Sequence, residues 1–333
     1  MKEVYFIPYF IPAAIIIITI EVIMSIREKK HSYYWKDSAA SAGVGTGAVL
    51  VQIITKAGTL AVFTFIFELF KPMREALNYT SLFGQNWLGA SWWVWALCIL
   101  GDDLNFYWHH RFAHTVRILW AAHIPHHSSE YFNFGTSFRN SWTIFFIKPI
   151  YWLWMPAIGF HPVMVFMAMS INSVYQFTLH SLVVPHLGWF EKIFNTPQLH
   201  QIHHSKNFAY MDKNFGGIFI FWDKLFGTFH NGRDGQERHF GVTKPPESFN
   251  PVVIITHEFV NIYNDVRKAK SLSDKLNYIF GAPGWSPDKS TLTVKEMTQL
   301  IREQGELTEK QKEVFGYIEG NPDMKKQLVA EEV

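Results

Sequence analysis

The sequence predicts an all-α integral membrane protein: four or five transmembrane helices and a cytoplasmic helical cap holding a histidine-rich di-metal site. Three observations lead there. Apolar residues gather in long runs, although the 333-residue chain is only 48% hydrophobic overall. The last third is polar and broken by prolines. Twelve of the 16 histidines fall between His109 and His204, in clusters at helical spacing.

The first apolar run, 5–24, has about twenty residues, enough to cross a ~30 Å hydrocarbon layer. Its only charge after residue 3 is Glu21. A signal peptide would need a basic start, a shorter apolar centre and a small-residue cleavage site. Here the basic cluster Arg27, Lys29, Lys30 follows the run instead, so it is expected to be a retained span. Runs at 43–70 and 87–107 are the next spans. The region 142–182 is too long for one crossing and is split by Pro156, Gly159 and Pro162, as expected of two spans or a hairpin of shorter helices. The basic stretch after the first span sets that side as cytoplasmic. Counting crossings then puts His109 onward, and the region around His200, on the same face. The expected organisation is transmembrane helices over 1–84, a catalytic domain over 85–245 and a polar cytoplasmic tail over 246–333, its 290–333 part amphipathic helices.

Lys+Arg is 30 and Asp+Glu is 28, a balance that gives no reason to expect nucleic acid as a partner. The single cysteine, Cys98, excludes an internal disulfide and a Cys-rich zinc site, and its apolar setting suits a small buried residue.

The histidine spacing points to chemistry. His110 and His114 are four apart, so on a helix they share a face. His109 could replace His110, which is preferred. His123, His126 and His127 form one HxxHH; His200, His203 and His204 form another. Positions i, i+3 and i+4 lie on one stripe, so each cluster can aim three imidazoles at one point. Asn195-Thr196-Pro197 supplies a cap and a first-turn proline for the last cluster. Pro125 fits the middle cluster only if its helix starts near Ile124. Surface and capping histidines explain a lone HxxxH; three clusters on one membrane face are not explained that way. Imidazole is a good borderline ligand for iron, and such a set can hold two ions. Asp103, two turns before His110, is a candidate to orient a ligand ring through its free N–H, with Asn207 and Asp212 as further candidates for that role. His186 reads as an interfacial loop residue, and Trp92, Trp93 and Trp95 as an interfacial belt.

At these residues the sequence resembles the fatty acid hydroxylase/sterol desaturase superfamily, whose HxxxH, HxxHH and HxxHH boxes match His110–His114, His123–His127 and His200–His204. The flanks YWHHRFAH, WAAHIPHHSSE, FNTPQLHQIHHSKN and DKNFGGIFIFWDKLFGTF look most like its alkylglycerol monooxygenase-type branch. The resemblance covers about 90–245. It implies two iron ions, dioxygen and a membrane lipid substrate such as an alkylglycerol, a fatty acyl chain or a sterol, oxidised by hydroxylation or desaturation. It also implies a further ligand between the last two boxes, for which His180 is the match. No redox domain is visible, so electrons are expected from a partner protein or a small reductant. A carotenoid hydroxylase and a non-enzymatic membrane metal transporter are the competing readings.

Overall fold

The computed structural model describes residues 7–28 and 32–304. Residues 5 and 6 of the first run, Lys29 and Lys30 of the basic cluster, and 305–333 of the tail lie outside the described residues. Those described are helical, with isolated β-bridges between Phe194 and Phe219 and between Ser205 and Phe240.

Two long apolar helices lead, α1 (Ile7–Arg27) and α2 (Trp35–Leu69). Their outer faces are exposed isoleucine, valine, leucine and phenylalanine: Ile15, Ile16 and Ile20 on α1, Leu50, Ile53, Ile54 and Phe65 on α2. Among the described residues α2 is the one helix both long and apolar enough to cross a membrane, by length and composition. At 1.5 Å per residue its 35 residues extend about 52 Å, more than one hydrocarbon thickness. Small residues on its inner face allow close packing. A Cβ on Gly47 would fall 2.2 Å from the Trp142 ring, whose indole N–H donates to the Val44 carbonyl.

Short helices α3 (Lys71–Ala76) and α4 (Tyr79–Phe83) follow. Arg74 is buried there without a carboxylate, satisfied by the carbonyls of Phe67, Asn86 and Ala157. The expected span 87–107 is a helix, α5 (Trp92–Thr115), that runs past its expected end, so the first histidine pair rides on the same rod. Then come α6 (Arg117–Ala121) and α7 (Ile124–His127). The region 142–182 follows the second of the two expectations, shorter helices, rather than two spans. Its first half is short pieces, α8 (Ile144–Ile147), a 3₁₀ turn (Lys148–Trp152) and α9 (Trp154–Ala157); only the second half forms a longer helix, α10 (Pro162–Thr178). The cause is backbone chemistry. Pro149 and Pro156 lack the N–H an unbroken helix needs, and Gly159 (φ +107°) reverses the chain before Pro162 opens α10. Phe63, Cys98, Trp152, Met155, Met164 and Val165 form the apolar core joining α2, α5 and α10.

Helices α11 (Pro197–His203) and α12 (Phe221–Leu225) complete the histidine-bearing part. The expected polar tail is not separate from it over its described length. Helix α13 (Pro251–Lys268) packs Ile254 and Ile255 on Ala40 and Val44 of α2. Helix α14 (Leu272–Phe280) forms a hairpin with it, and α15 (Val294–Gln304) lays Met297 and Ile301 on Phe208. The described start of 290–333 is an amphipathic helix, as expected, and its apolar residues, recurring at helical spacing, find partners in the histidine-bearing part.

Candidate metal centre

Helix α5 puts His110 and His114 one turn apart on its inner face. His109, on another face, is buried against the rings of Tyr151 and Trp152 and away from the cluster. At α7, Pro125 sits in the first turn and His123 occupies the cap position, so the helix begins where the proline permits. At α11 the Thr196 hydroxyl accepts the Leu199 N–H and Pro197 opens the helix, which presents His200 and His203, with His204 as the cap that ends it. His180 lies just past the end of α10.

These nine imidazoles gather in two groups: His110, His114, His123, His127 and His203 in one, His126, His180, His200 and His204 in the other. Within each, one nitrogen per ring lies within 4.8 Å of all the rest. Neighbouring Nε2 atoms are close: 3.1 Å for His110–His123 and His123–His127, 3.2 Å for His114–His127 and His126–His180, 3.1 Å for His200–His204.

The other ring nitrogen explains why. His110 Nδ1 donates to the Phe215 carbonyl, His203 Nδ1 to that of Lys213 and His180 Nδ1 to that of Gln176, each at 2.9 Å. A neutral ring protonated at Nδ1 carries a lone pair at Nε2. Those lone pairs point into the cluster, and the buried Nε2 of His203 makes no hydrogen bond there. Burial, reinforced by neighbouring rings, holds His123, His126, His127, His200, His203 and His204 far below the usual imidazole range, so they are neutral. Neutral, buried, converging lone pairs repel one another unless a cation sits among them. The donor set is therefore chemically fitted to a borderline transition metal.

Aromatic rings wall the cluster. Phe215 lies edge-on to His110, His114 and His203; Trp120 packs on His114 and His127; Phe132 stacks on His180.

Asp103 does not orient a histidine, contrary to the expectation. Its carboxylate accepts the backbone N–H of Ile218 (2.5 Å) and Phe219 (2.9 Å), the Trp222 indole (3.1 Å) and the Asn172 amide (3.1 Å). Asp223, which sequence reasoning missed, accepts the N–H of Phe215 and Gly216 and the Thr228 hydroxyl, each at 2.7 Å. The two carboxylates grip the loop whose carbonyls fix His110 and His203. The loop fits only without side chains at its centre, since a Cβ on Gly217 would fall 2.2 Å from Asp103 Oδ1. The flank DKNFGGIFIFWDKLFGTF carried this signal in its paired glycines and its second aspartate. Asn207 also departs from expectation. Its side chain bonds the Glu237 carbonyl and the His239 N–H and ties down that segment rather than a ring. Asp212 does face a ring, with Oδ1 3.6 Å from His114 Nδ1. His186 pairs with Glu191 at 3.1 Å. A second unforeseen anchor is the buried ion pair of Asp37 with Arg139 (2.6 Å). It holds Ser129 and Ser128, the residues after His127.

Residues 95–228 match the fatty acid hydroxylase family profile. The chain is 33% identical to an alkylglycerol monooxygenase of Homo sapiens over 294 residues, which is 87% of this chain and 61% of the relative. It is 34% identical to that of Xenopus tropicalis over 85% of this chain and 62% of the relative. It is 32% identical to an ornithine lipid hydroxylase of Rhizobium tropici over 58% of this chain and 57% of the relative. The chain thus spans about three fifths of the length of these curated relatives. No solved structure matches it significantly.

Proposed function

We propose that this chain, whose residues 95–228 match the fatty acid hydroxylase family profile, is a membrane-bound oxidoreductase of that family that uses two iron ions and dioxygen to hydroxylate a lipid. The observation that carries this is the convergence of nine imidazoles in two adjoining groups. One ion would be held by His110, His114, His123, His127 and His203, the other by His126, His180, His200 and His204. Bound there, the iron pair supplies the redox chemistry that lets dioxygen attack an unactivated C–H bond.

The protein's own groups prepare the place. The carbonyls of Phe215, Lys213 and Gln176 fix three rings in the tautomer that leaves Nε2 free. Phe132, Trp120 and Phe215 keep bulk water from the reacting centre. The apolar outer faces of α1 and α2 embed the chain in the bilayer, where a lipid substrate is concentrated. An alkylglycerol or another ether or acyl lipid is the favoured substrate class, from the lipids on which the relatives are named as acting. Hydroxylation is favoured over desaturation for the same reason. Electrons come from an external donor, a protein or a small reductant, and the site opens on the cytoplasmic face.

The test is metal analysis of the purified, detergent-solubilised chain together with turnover of membrane lipids under ¹⁸O₂. Two irons per chain and one labelled oxygen in the product lipid are expected; His126→Ala should lose the labelled oxygen and the iron of its own group. Absence of iron, together with lipid oxidation unaffected by His126→Ala, defeats the proposal.

A further inference from the structure

The hairpin of α13 and α14 has an outer face that no part of the described chain covers. On α13 this face carries Val252, Val260 and Tyr263, the last 59% exposed; on α14 it carries Leu272, Leu276 and Phe280, of which Leu272 is 72% exposed. Positions 252, 260 and 263 fall on one side of α13, and 272, 276 and 280 form a single i, i+4, i+8 row on α14. The opposite face of α13 is fully engaged, with Ile254, Ile255 and Ile262 buried.

Charge is sorted the same way. Two of the three acids in the hairpin, Glu258 and Asp265, are turned inward and both pair with Arg117 of α6 at 2.8 Å. The outward cations Arg267, Lys268, Lys270 and Lys275 are exposed, with Asp274 the one remaining acid. The outer surface is therefore apolar and net cationic, although the chain as a whole is close to neutral.

Its position in the fold says what covers it. The hairpin begins beside the first turns of α2. Pro251 packs where a Cβ on Gly43 would fall, 2.6 Å from its ring, and Phe249 meets Tyr34 edge-on. Trp35, 71% exposed, and Lys36 mark that end of α2 as the aromatic and cationic boundary of a membrane span. Gly43 lies about 12 Å along the axis from Trp35. An amphipathic element with an apolar face and lysines at its edges, starting at that level, has the make-up of a helix lying in the headgroup plane.

We infer that the α13–α14 hairpin is an interfacial anchor seated on an anionic lipid leaflet. This rests on the reading that α2 crosses the bilayer and is independent of the reaction. The outer stripe enters the headgroup–acyl boundary, and Arg267, Lys268, Lys270 and Lys275 meet anionic headgroups. Through Glu258 and Asp265 the seated hairpin braces Arg117 and α6, the helix that leads into His123.

The experiment uses the full chain in nanodiscs of phosphatidylcholine, with or without phosphatidylglycerol. Cys98 is buried, so an environment-sensitive fluorophore can be placed at Leu276→Cys or Val260→Cys, with Ile53→Cys on α2 as the span reporter. Brominated lipids should quench the fluorophore at 276 and at 260, and aqueous iodide should not. Phosphatidylglycerol should strengthen the lipid quenching. Neutralising the cations in the combined Lys268→Gln, Lys270→Gln, Lys275→Gln variant should remove most of that gain, weakening the seating equilibrium about fivefold for each lysine. Iodide quenching at 276 and 260 with position 53 still lipid-quenched overturns the anchor alone. Shielding from both quenchers marks a protein contact and overturns it too. Indifference to phosphatidylglycerol overturns the anionic leaflet as the occupant. Iodide access at 53 overturns the spanning reading of α2, and the hairpin's seat with it.

Discussion

The five-imidazole and four-imidazole groups share two chain segments but are secured differently. Helix α7 sends His127 to one group and His126 to the other, and α11 sends His203 to one and His200 to the other. In the five-membered group, His110 and His203 are locked by carbonyls of one loop, and that loop is gripped by the buried carboxylates of Asp103 and Asp223. In the four-membered group the carbonyl anchor is local, from His180 to Gln176 one turn back, and the buried Nδ1 atoms of His126 and His200 make no hydrogen bond. Its rings are set largely by packing, with Phe132 against His180, His200 and His204. One group is thus oriented by tertiary hydrogen bonds, the other by a helix end and an aromatic wall.

The largest effect should come from removing a ligand on each side. His203→Ala and His204→Ala differ by one position in sequence and fall in different groups. Each is expected to weaken iron binding in its own group by more than about 100-fold, beyond the cost of losing an orienting partner. Iron quantitation with Mössbauer spectra of the two variants should show different residual ions. Identical residual spectra would break the division into two groups.

Asp103→Asn comes next. The amide can offer only one acceptor where the carboxylate receives two backbone N–H groups and an indole, so the 215–219 loop loosens. Iron affinity should fall about 10–100-fold in the five-membered group, with the four-membered group retained. A chelator titration followed by the same spectra reads this, and equal loss from both groups would show that the loop does not discriminate between them.

The contrast also explains what was legible in the sequence. His110 with His114 and the two HxxHH stripes could be read directly, because helical spacing is a local property and Pro125 and Pro197 mark where the helices start. His180 stands alone in the chain, and only the family pattern pointed to it. The role of Asp103 was misassigned because its distance along α5 fitted a ring contact, whereas the backbone groups it binds, at Ile218 and Phe219, lie more than 100 residues away. Asp223 carries no spacing relation to any histidine. The outer apolar faces of α1 and α2 were equally readable, since about twenty consecutive apolar residues need no tertiary context. The break at 156–162 was readable from Pro156, Gly159 and Pro162, but the short pieces over 144–152 were harder, because hydropathy takes no account of the backbone N–H that Pro149 lacks.

The smallest effect sharpens the comparison from the other direction. Asp37 and Arg139 hold Ser128 and Ser129 at the end of α7, the segment that feeds both groups. Asp37→Asn leaves the Arg139 guanidinium, which is buried, without its counter-charge. Breaking a buried pair from one side costs about 3 kcal/mol, and the variant should melt earlier in detergent by a corresponding margin. Because His126 and His127 move together, iron affinity should drop only a few-fold and by the same factor in both groups. Selective loss from one group would mean that Ser128 and Ser129 orient a single ring. Stability equal to that of the unsubstituted chain would mean that the Arg139 charge is balanced by its hydroxyl and carbonyl partners alone.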